Sequence, residues 1–275
     1  MPRTKWPLLG VIVLFTGLAG GETLDEAIRR MAEGAKAVRD LTVRYETKID
    51  ESVPGDFLFK GSGVTELQTA REGNLRLFRI LSRSTITTTP TGGIARRSER
   101  HESSTRVIDG KFDWLETRSG QPVRVSVVKL PMPDGPGMGA GLFIIGPGDP
   151  CVLAADPEAL FQAIRMEGTA RMTGKGTVAG RPTTQIKVTY RTGRPSDADA
   201  AFLDLDDATG TVLAFKSLRP QGSTLYSQTA TRFEVNTGLD RKLFTYSPPP
   251  EVKIRDQTPG AKPRDGGLKK TPPTE

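Results

Sequence analysis

Apolar residues Leu24, Ile28, Met31, Ala35 and Val38 recur at helical spacing behind Thr23 and Glu26, a capping-box pair, and predict a first helix of about four turns. From Leu41 the period drops to two. Leu41, Val43, Tyr45 and Ile49 alternate with Thr42, Arg44, Glu46 and Lys48, the pattern of a strand with one buried face. Val53, Pro54, Gly55 and Asp56 read as a turn, followed by an extended segment from Phe57 that Gly61 and Gly63 allow to bend, and by a strand over Leu75 to Leu81. The stretch from Ser82 to Ser104 is rich in Ser, Thr and Arg with Pro90, Gly92 and Gly93 at its centre, and reads as an exposed hairpin or loop.

Asp109-Gly110, between Val107-Ile108 and Phe112, Trp114 and Leu115, is a two-residue hairpin signal, and Val123, Val125 and Val127 alternate in the next strand. Between Pro131 and Pro150 glycine and proline crowd together with apolar side chains, the composition of a long loop. Asp156 as cap and Pro157 at the first helical position open a second helix whose Leu160, Phe161 and Ile164 would face a sheet. Five further strand-like runs follow over Arg171–Val178, Thr183–Arg191, Ala201–Leu205, Thr211–Leu218 and Leu225–Val235. The turns between them are short, which makes neighbouring strands antiparallel.

The two ends of the chain differ from this body. Arg3 and Lys5 precede an uncharged run from Leu8 to Ala19 that closes on Gly20 and Gly21, the order of a secretory signal, and the run is shorter than the roughly 20 apolar residues of a membrane span. Cleavage is expected after Ala19 or Gly21. After Pro248, Pro249 and Pro250 the chain turns polar and Pro/Gly-rich, a composition that does not form a core. The expected organisation is a signal peptide over 1–21, one β-rich domain over 22–254, and a disordered basic tail over 255–275.

The formal net charge of +7 raises the question of nucleic acid. Arg3 and Lys5 supply +2, and the tail, with five basic against three acidic residues, another +2, so +3 remains for the body. The body has no Lys/Arg clusters interleaved with aromatic residues and lacks the stacking platform of single-strand binders, so no nucleic-acid partner is expected. Cys151 is the single cysteine, which excludes an intramolecular disulfide and lies too late in the chain for a lipobox; it reads as a small buried hydrophobe.

Catalysis needs convergent titratable groups, and His101 is the single histidine, set among Arg100, Glu102, Ser103 and Ser104 as a solvated loop residue. One histidine and one cysteine cannot build a His/Cys zinc site. Asp204, Asp206 and Asp207 fail the spacing of a calcium loop and read as a hairpin turn with solvated carboxylates. The run Gly135 to Gly141 lacks the third glycine of a dinucleotide fingerprint. No catalytic residues, metal or cofactor are expected, and the chain is not read as an enzyme.

The layout resembles the LolA-like superfamily of exported lipoprotein and lipid carriers, which includes sensor domains of envelope-stress regulators. The likeness is carried by the signal and helix leading into Leu41–Ile49, by the hairpin Val107-Ile108-Asp109-Gly110-Lys111-Phe112-Asp113-Trp114, and by the C-terminal run. That run places Leu203-Asp204-Leu205-Asp206 before Thr209-Gly210, two strands, and Leu239-Asp240 to Leu243-Phe244-Thr245-Tyr246-Ser247-Pro248-Pro249. It covers residues 22–254. The resemblance implies an α+β fold: a strongly curved antiparallel sheet, an incomplete barrel, closed by helices over an apolar cavity that takes acyl chains, without catalytic residues or cofactor.

The expected function is an exported carrier or binding protein for lipid-like or acylated ligands, lipoproteins among them. The alternative is an envelope sensor or scaffold recognising a protein partner. Location is expected to be periplasmic or otherwise exported, soluble after signal cleavage, with at most peripheral membrane contact. Candidate cavity or lid residues are Phe57, Phe59, Trp114, Met132, Met138, Phe143, Ile145 and Phe161. Core packing is the stronger account of Phe57, Phe59, Trp114 and Phe161, and packing against the domain accounts equally for the loop residues.

Overall fold

The computed structural model describes residues 22–53, 57–73, 75–90, 97–131, 157–191 and 198–258. Helix α1 spans Leu24–Lys36. Its start is fixed as expected: the Glu26 N–H donates to Thr23 Oγ1 at 3.3 Å, and the Thr23 N–H donates to Glu26 Oε2 at 2.8 Å. Hydrogen bonds from Thr23 hold the Glu26 carboxyl below its ordinary range. Strands β1 (Asp40–Val53), β2 (Phe57–Glu72), β3 (Leu75–Pro90), β4 (Ser98–Ile108), β5 (Phe112–Ser119) and β6 (Arg124–Pro131) form one antiparallel meander. Helix α2 (Pro157–Glu167) leads into the second meander, β7 (Gly168–Val178), β8 (Arg181–Tyr190), β9 (Ala200–Asp206), β10 (Val212–Leu218) and β11 (Thr224–Val235).

The two meanders join where β11 pairs with β1, and a short β12 (Ile254–Asp256) pairs with β6. The sheet order among the described residues is β12-β6-β5-β4-β3-β2-β1-β11-β10-β9-β8-β7, open at both edges. It is curved and not closed. The Arg181 guanidinium of β8 lies 5.3 Å from the centre of the Phe233 ring of β11, a contact between side chains three strands apart.

Both helices pack on one side of the sheet. Ile28 and Met31 of α1 and Leu160, Phe161 and Ile164 of α2 share a core with Leu41, Val43 and Tyr45 of β1, Leu67, Ile80, Ile186, Leu203, Leu205 and Leu213. Tyr45 closes this core from within by donating its hydroxyl to the Val212 carbonyl at 2.8 Å. The apolar faces of the helices are therefore spent on the core over β1 and β8–β10. A second, small cluster lies elsewhere: Phe244, in the 3-10 turn Arg241–Phe244, packs on Ala70 and Leu77 beside Leu239 and Leu243.

Several expectations change. Of hairpin and loop, the polar stretch over 82–104 takes the hairpin form where it is described, and His101 lies in a strand rather than a loop. Its first part extends β3 to Pro90 and its last part begins β4 at Ser98, with Ser82 opposite Ser104, Thr85 opposite His101 and Ile86 opposite Arg100. The β-branched residues there satisfy the ladder while their faces stay wet, so a polar strand imitates loop composition. Asp109-Gly110 does not form a two-residue turn. The loop has three residues, and the Asp109 carboxylate accepts from the Lys111 and Phe112 N–H groups at 2.8 Å each and from Trp114 Nε1 at 3.1 Å. Val123 precedes β6 and is 64% exposed.

Of the three carboxylates expected to be solvated at the β9–β10 turn, Asp206 is buried while Asp204 and Asp207 are partly exposed. Asp206 is fully buried and accepts from Arg181 Nε at 2.9 Å, from the Thr209 N–H at 3.0 Å and from Thr209 Oγ1 at 2.8 Å. Asp207 accepts from Lys175 Nζ at 3.2 Å. Burial pushes the Asp207 carboxyl up, but hydrogen bonds from Thr184 and Lys175 outweigh burial and leave it below its ordinary range.

Candidate functional site

Residues directly opposite in a ladder project to the same side, so the register sorts the sheet into a helix-facing side and an outer side. On the helix-facing side, beyond Ile80, the ladder sets Arg106 opposite Ile80, Leu115 opposite Arg106 and Val128 opposite Leu115. The adjacent row runs Phe78, Ile108, Asp113, Leu130. Phe78, Leu115, Val128 and Leu130 are half-buried, an apolar strip continuing the core over β3, β5 and β6. Within it Arg106 grips Asp113, with Nε to Oδ1 at 2.9 Å and an outer nitrogen to Oδ2 at 2.6 Å. The Asp113 side chain is 3% exposed, so this pair is a desolvated polar anchor inside an apolar surface.

The outer side is mixed. A groove of about 950 Å³ crosses β9, β10, β11, β1, β2 and β3, where Lys48, Asp50, Lys60, Asp204, Lys216 and Ser227 stand beside Phe202, Ala214 and Phe215. A second stretch of about 1040 Å³ continues over β4 and β5 past Glu46, Arg83, His101 and Arg118, sharing Lys48, Ser62 and Thr85 with the first. His101 sits here in a strand, exposed, with Nδ1 3.0 Å from Thr85 Oγ1 and Nε2 3.4 Å from Glu99. Among the described residues no group of three His, Cys, Asp or Glu side chains is placed to hold a metal ion.

At the β6 edge, Phe112 and Trp114 meet edge-to-face at 5.9 Å, Trp114 lies 5.4 Å from the Tyr246 ring, and Lys129 Nζ sits 3.7 Å from the Phe112 centroid. These contacts hold the C-terminal segment to the outer side of the sheet.

The expected site residues are scattered. Phe161 is 2% exposed in the main core. Trp114 is half-buried under Tyr246 on the outer side. Phe59 is half-buried far along β2, opposite Glu51 and Thr88. Phe57 pairs with Val53 and Pro90 in the ladder. Met132, Met138, Phe143, Ile145 and Cys151 lie outside the described residues, as do the signal segment 1–21 and the tail from 259. Neither outer groove stretch is lined by any of these candidates. The sequence reading missed the apolar strip and the lysine-bearing groove, because both are assembled across strands by register.

No family model and no curated protein match the sequence. Among solved structures, the chain is similar to one from the Pseudomonas aeruginosa MucA/MucB complex, at 15% identity over 81% of this chain and TM-score 0.42. It spans 60% of the length of that chain. It is also similar to an uncharacterized conserved protein from Thermus thermophilus, at 11% identity over 85% of this chain and 98% of that one, TM-score 0.44. A LolA superfamily protein from Nitrosomonas europaea aligns at 9% identity over 82% of this chain and 99% of that one, TM-score 0.28. The likeness is one of fold layout. No helix among the described residues is long and apolar enough to cross a membrane.

Proposed function

We propose that the chain is exported and works as a binding module, and that its outer groove receives a polypeptide partner. One observation carries this reading: the apolar faces of both helices are used in the main core, while the groove on the outer side sets lysine, aspartate, serine and threonine beside Phe202, Ala214 and Phe215. Such a mixed lining offers partners to main-chain and charged groups as well as to apolar side chains, the combination found in polypeptide interfaces. Export rests on the order of Arg3, Lys5, the uncharged run to Ala19 and the glycines after it.

A second reading has its own observation. The half-buried strip of Phe78, Leu115, Val128 and Leu130 on the helix-facing side offers apolar contact beside the Arg106–Asp113 pair, which is the environment an acylated ligand requires. There the chain would act as a carrier.

Photo-crosslinking in the producing cells separates the two. A photoreactive side chain replacing Ser227 should give a discrete polypeptide adduct that the same group at exposed Glu251 does not give, and replacing Val128 should give none. Lipid adducts from Val128 with none from Ser227 would transfer the function to the strip. Adducts from neither position would defeat the binding-module reading.

A further inference from the structure

Across the outer side of the sheet the ladder sets Lys216 opposite Ser227, Ser227 opposite Lys48, Lys48 opposite Ser62 and Ser62 opposite Thr85. Lys216 and Lys48 are thus two strands apart with a hydroxyl between them, which puts their backbones roughly 9–10 Å from each other. Arg83 projects from the same side of β3, opposite Val64, which is itself opposite Glu46. All three cations are exposed, and none has an ion-pair partner among the described residues. The groove's other cations differ: Lys60 lies 3.7 Å from Asp50, and Arg118 lies 2.5 Å from Glu116. Asp204 accepts from Gln185 Nε2 at 3.0 Å, so its carboxylate is already engaged within the sheet.

We propose that the row Lys216–Ser227–Lys48–Ser62–Thr85 recognises an extended acidic polypeptide segment laid across the strands from β10 to β3. Unpaired cations along one groove create a positive potential that attracts and orients distributed negative charge. Their spacing selects the kind of anion. Cations rooted roughly 10 Å apart suit charges distributed along a chain, and a polyproline-II-like extended segment, with three residues per turn and a rise of about 3.1 Å, returns its side chains to the same face about every 9 Å. Carboxylates at that spacing meet Lys216 and Lys48 in turn. The hydroxyls of Ser227, Ser62 and Thr85 donate to the carboxylate oxygens between them. Glu46, on the same side and two residues from Lys48 along β1, repels acidic side chains from the neighbouring row and fixes the line the segment follows. The inference deepens the partner-binding reading above and rests on it.

The test uses the full mature chain and a fluorescein-labelled twelve-residue peptide with glutamate at every third position among serine and glycine, against the same peptide with glutamine. Anisotropy titration should show saturable binding of the glutamate peptide, about tenfold tighter than the glutamine peptide and weakened by about 0.3 M salt. The double variant Lys48→Glu/Lys216→Glu should lose about tenfold more while its thermal melt matches wild type, and Lys253→Glu, on the exposed C-terminal segment, should bind as wild type does. Equal affinity for both peptides would overturn the acidic preference and leave the groove as a partner surface. Binding of neither peptide would overturn the inference, and the crosslinks from Ser227 then decide whether the partner-binding reading falls with it. Tighter binding of inorganic polyphosphate, abolished by the double variant, would overturn it by assigning the row to phosphate.

Discussion

Tyr246 donates its hydroxyl to Glu116 Oε2 at 2.6 Å, a bond between residues 130 positions apart that ties the C-terminal segment to the middle of β5. Glu116 also accepts from Arg118 Nε at 2.5 Å. Burial pushes the Glu116 carboxyl up, but the two donors outweigh it and hold the group below its ordinary range. Burial first, then the bond to Glu116, pushes the Tyr246 hydroxyl up. The segment is anchored at its start as well: Asp40 accepts from the Thr237 N–H at 2.7 Å and from the Gly238 N–H at 3.0 Å.

Two pH dependences follow from this pair. Glu116 has a depressed value in the folded state, so its contribution is present above the unfolded carboxyl value of about 4.3 and is lost as pH falls through the lower folded value. Tyr246 has a raised value, so its contribution is present below about pH 10 and is lost as pH rises from there through the folded value. Tyr246→Phe should lower stability by about 1–3 kcal/mol near neutral pH, since it removes a donor to a buried charged acceptor. It should also flatten both the acid and the alkaline limb of the stability profile. Urea unfolding from pH 3 to 11 on wild type and variant checks both, and parallel profiles with the same limbs would refute the assignment.

Gly34 of α1 faces the β9–β10 turn so closely that a Cβ would overlap the Ala208 carbonyl oxygen, a backbone atom that cannot rotate away. Gly34→Ala should therefore force the helix off the sheet and cost more than about 3 kcal/mol, beyond the usual overpacking range of 1–3. Gly180, at φ +73 with open space around the position of a Cβ, is the control: Gly180→Ala meets only backbone strain, of about 1–2 kcal/mol. Thermal melts of the two variants give the order, and an equal loss would mean that α1 adjusts freely.

Asp206 is buried and accepts from Thr209 and from Arg181, whose side chain is 36% exposed, so Asp206→Ala should cost about 1–3 kcal/mol, chiefly for the buried donors it leaves unpaired. Asp206→Ala leaves the Thr209 N–H and hydroxyl and the Arg181 guanidinium without their acceptor. Asp206→Asn keeps one acceptor oxygen and should lose less than half as much. Denaturant unfolding of both variants would settle it; a loss below about 1 kcal/mol in the alanine variant would show that the turn re-forms its bonds with water.

Local periodicity revealed what is local. The capping box at Thr23 and Glu26, the alternation of Leu41, Val43 and Tyr45 and the Pro157 helix start all appear where the chain pattern puts them. The pattern failed where a strand buries neither face. Thr85 and His101 sit in the strands of a hairpin, yet their neighbours leave hairpin and loop undecided in sequence, because β3 and β4 run past the core with few apolar residues to set a period. The candidate surfaces were illegible for another reason. Lys48 and Lys216 are 168 positions apart, and the strip joins Phe78 to Val128; both depend on register, which no window of sequence contains. Trp114 was legible as an aromatic that packs, but its partner Tyr246 comes from a coil on the outer side.

The C-terminal end offers the last prediction. Arg255 and Asp256, the first residues of the expected tail, lie in β12, which pairs with β6 through Ile254 opposite Val127 and Asp256 opposite Lys129. This is the one parallel pairing among the described strands. The Gln257 N–H donates to the Lys129 carbonyl at 2.8 Å, Asp256 Oδ2 lies 3.3 Å from Lys129 Nζ, and the Asp256 carboxylate accepts from the Thr258 N–H at 3.0 Å. Residues from Pro259 onward carry four prolines and three glycines against one leucine, and so have no apolar stripe to dock. Truncation after Thr258 should leave the melting temperature unchanged. Truncation after Pro250 removes β12 and uncovers the β6 edge, and at about 1 kcal/mol net per hydrogen bond it should cost about 2–3 kcal/mol. For a domain of this size that lowers the melting temperature by roughly 4–12 °C. An equal melting temperature for both truncations would mean that β12 adds nothing to the sheet, and a fall on removing only the residues after Thr258 would mean that the tail itself packs.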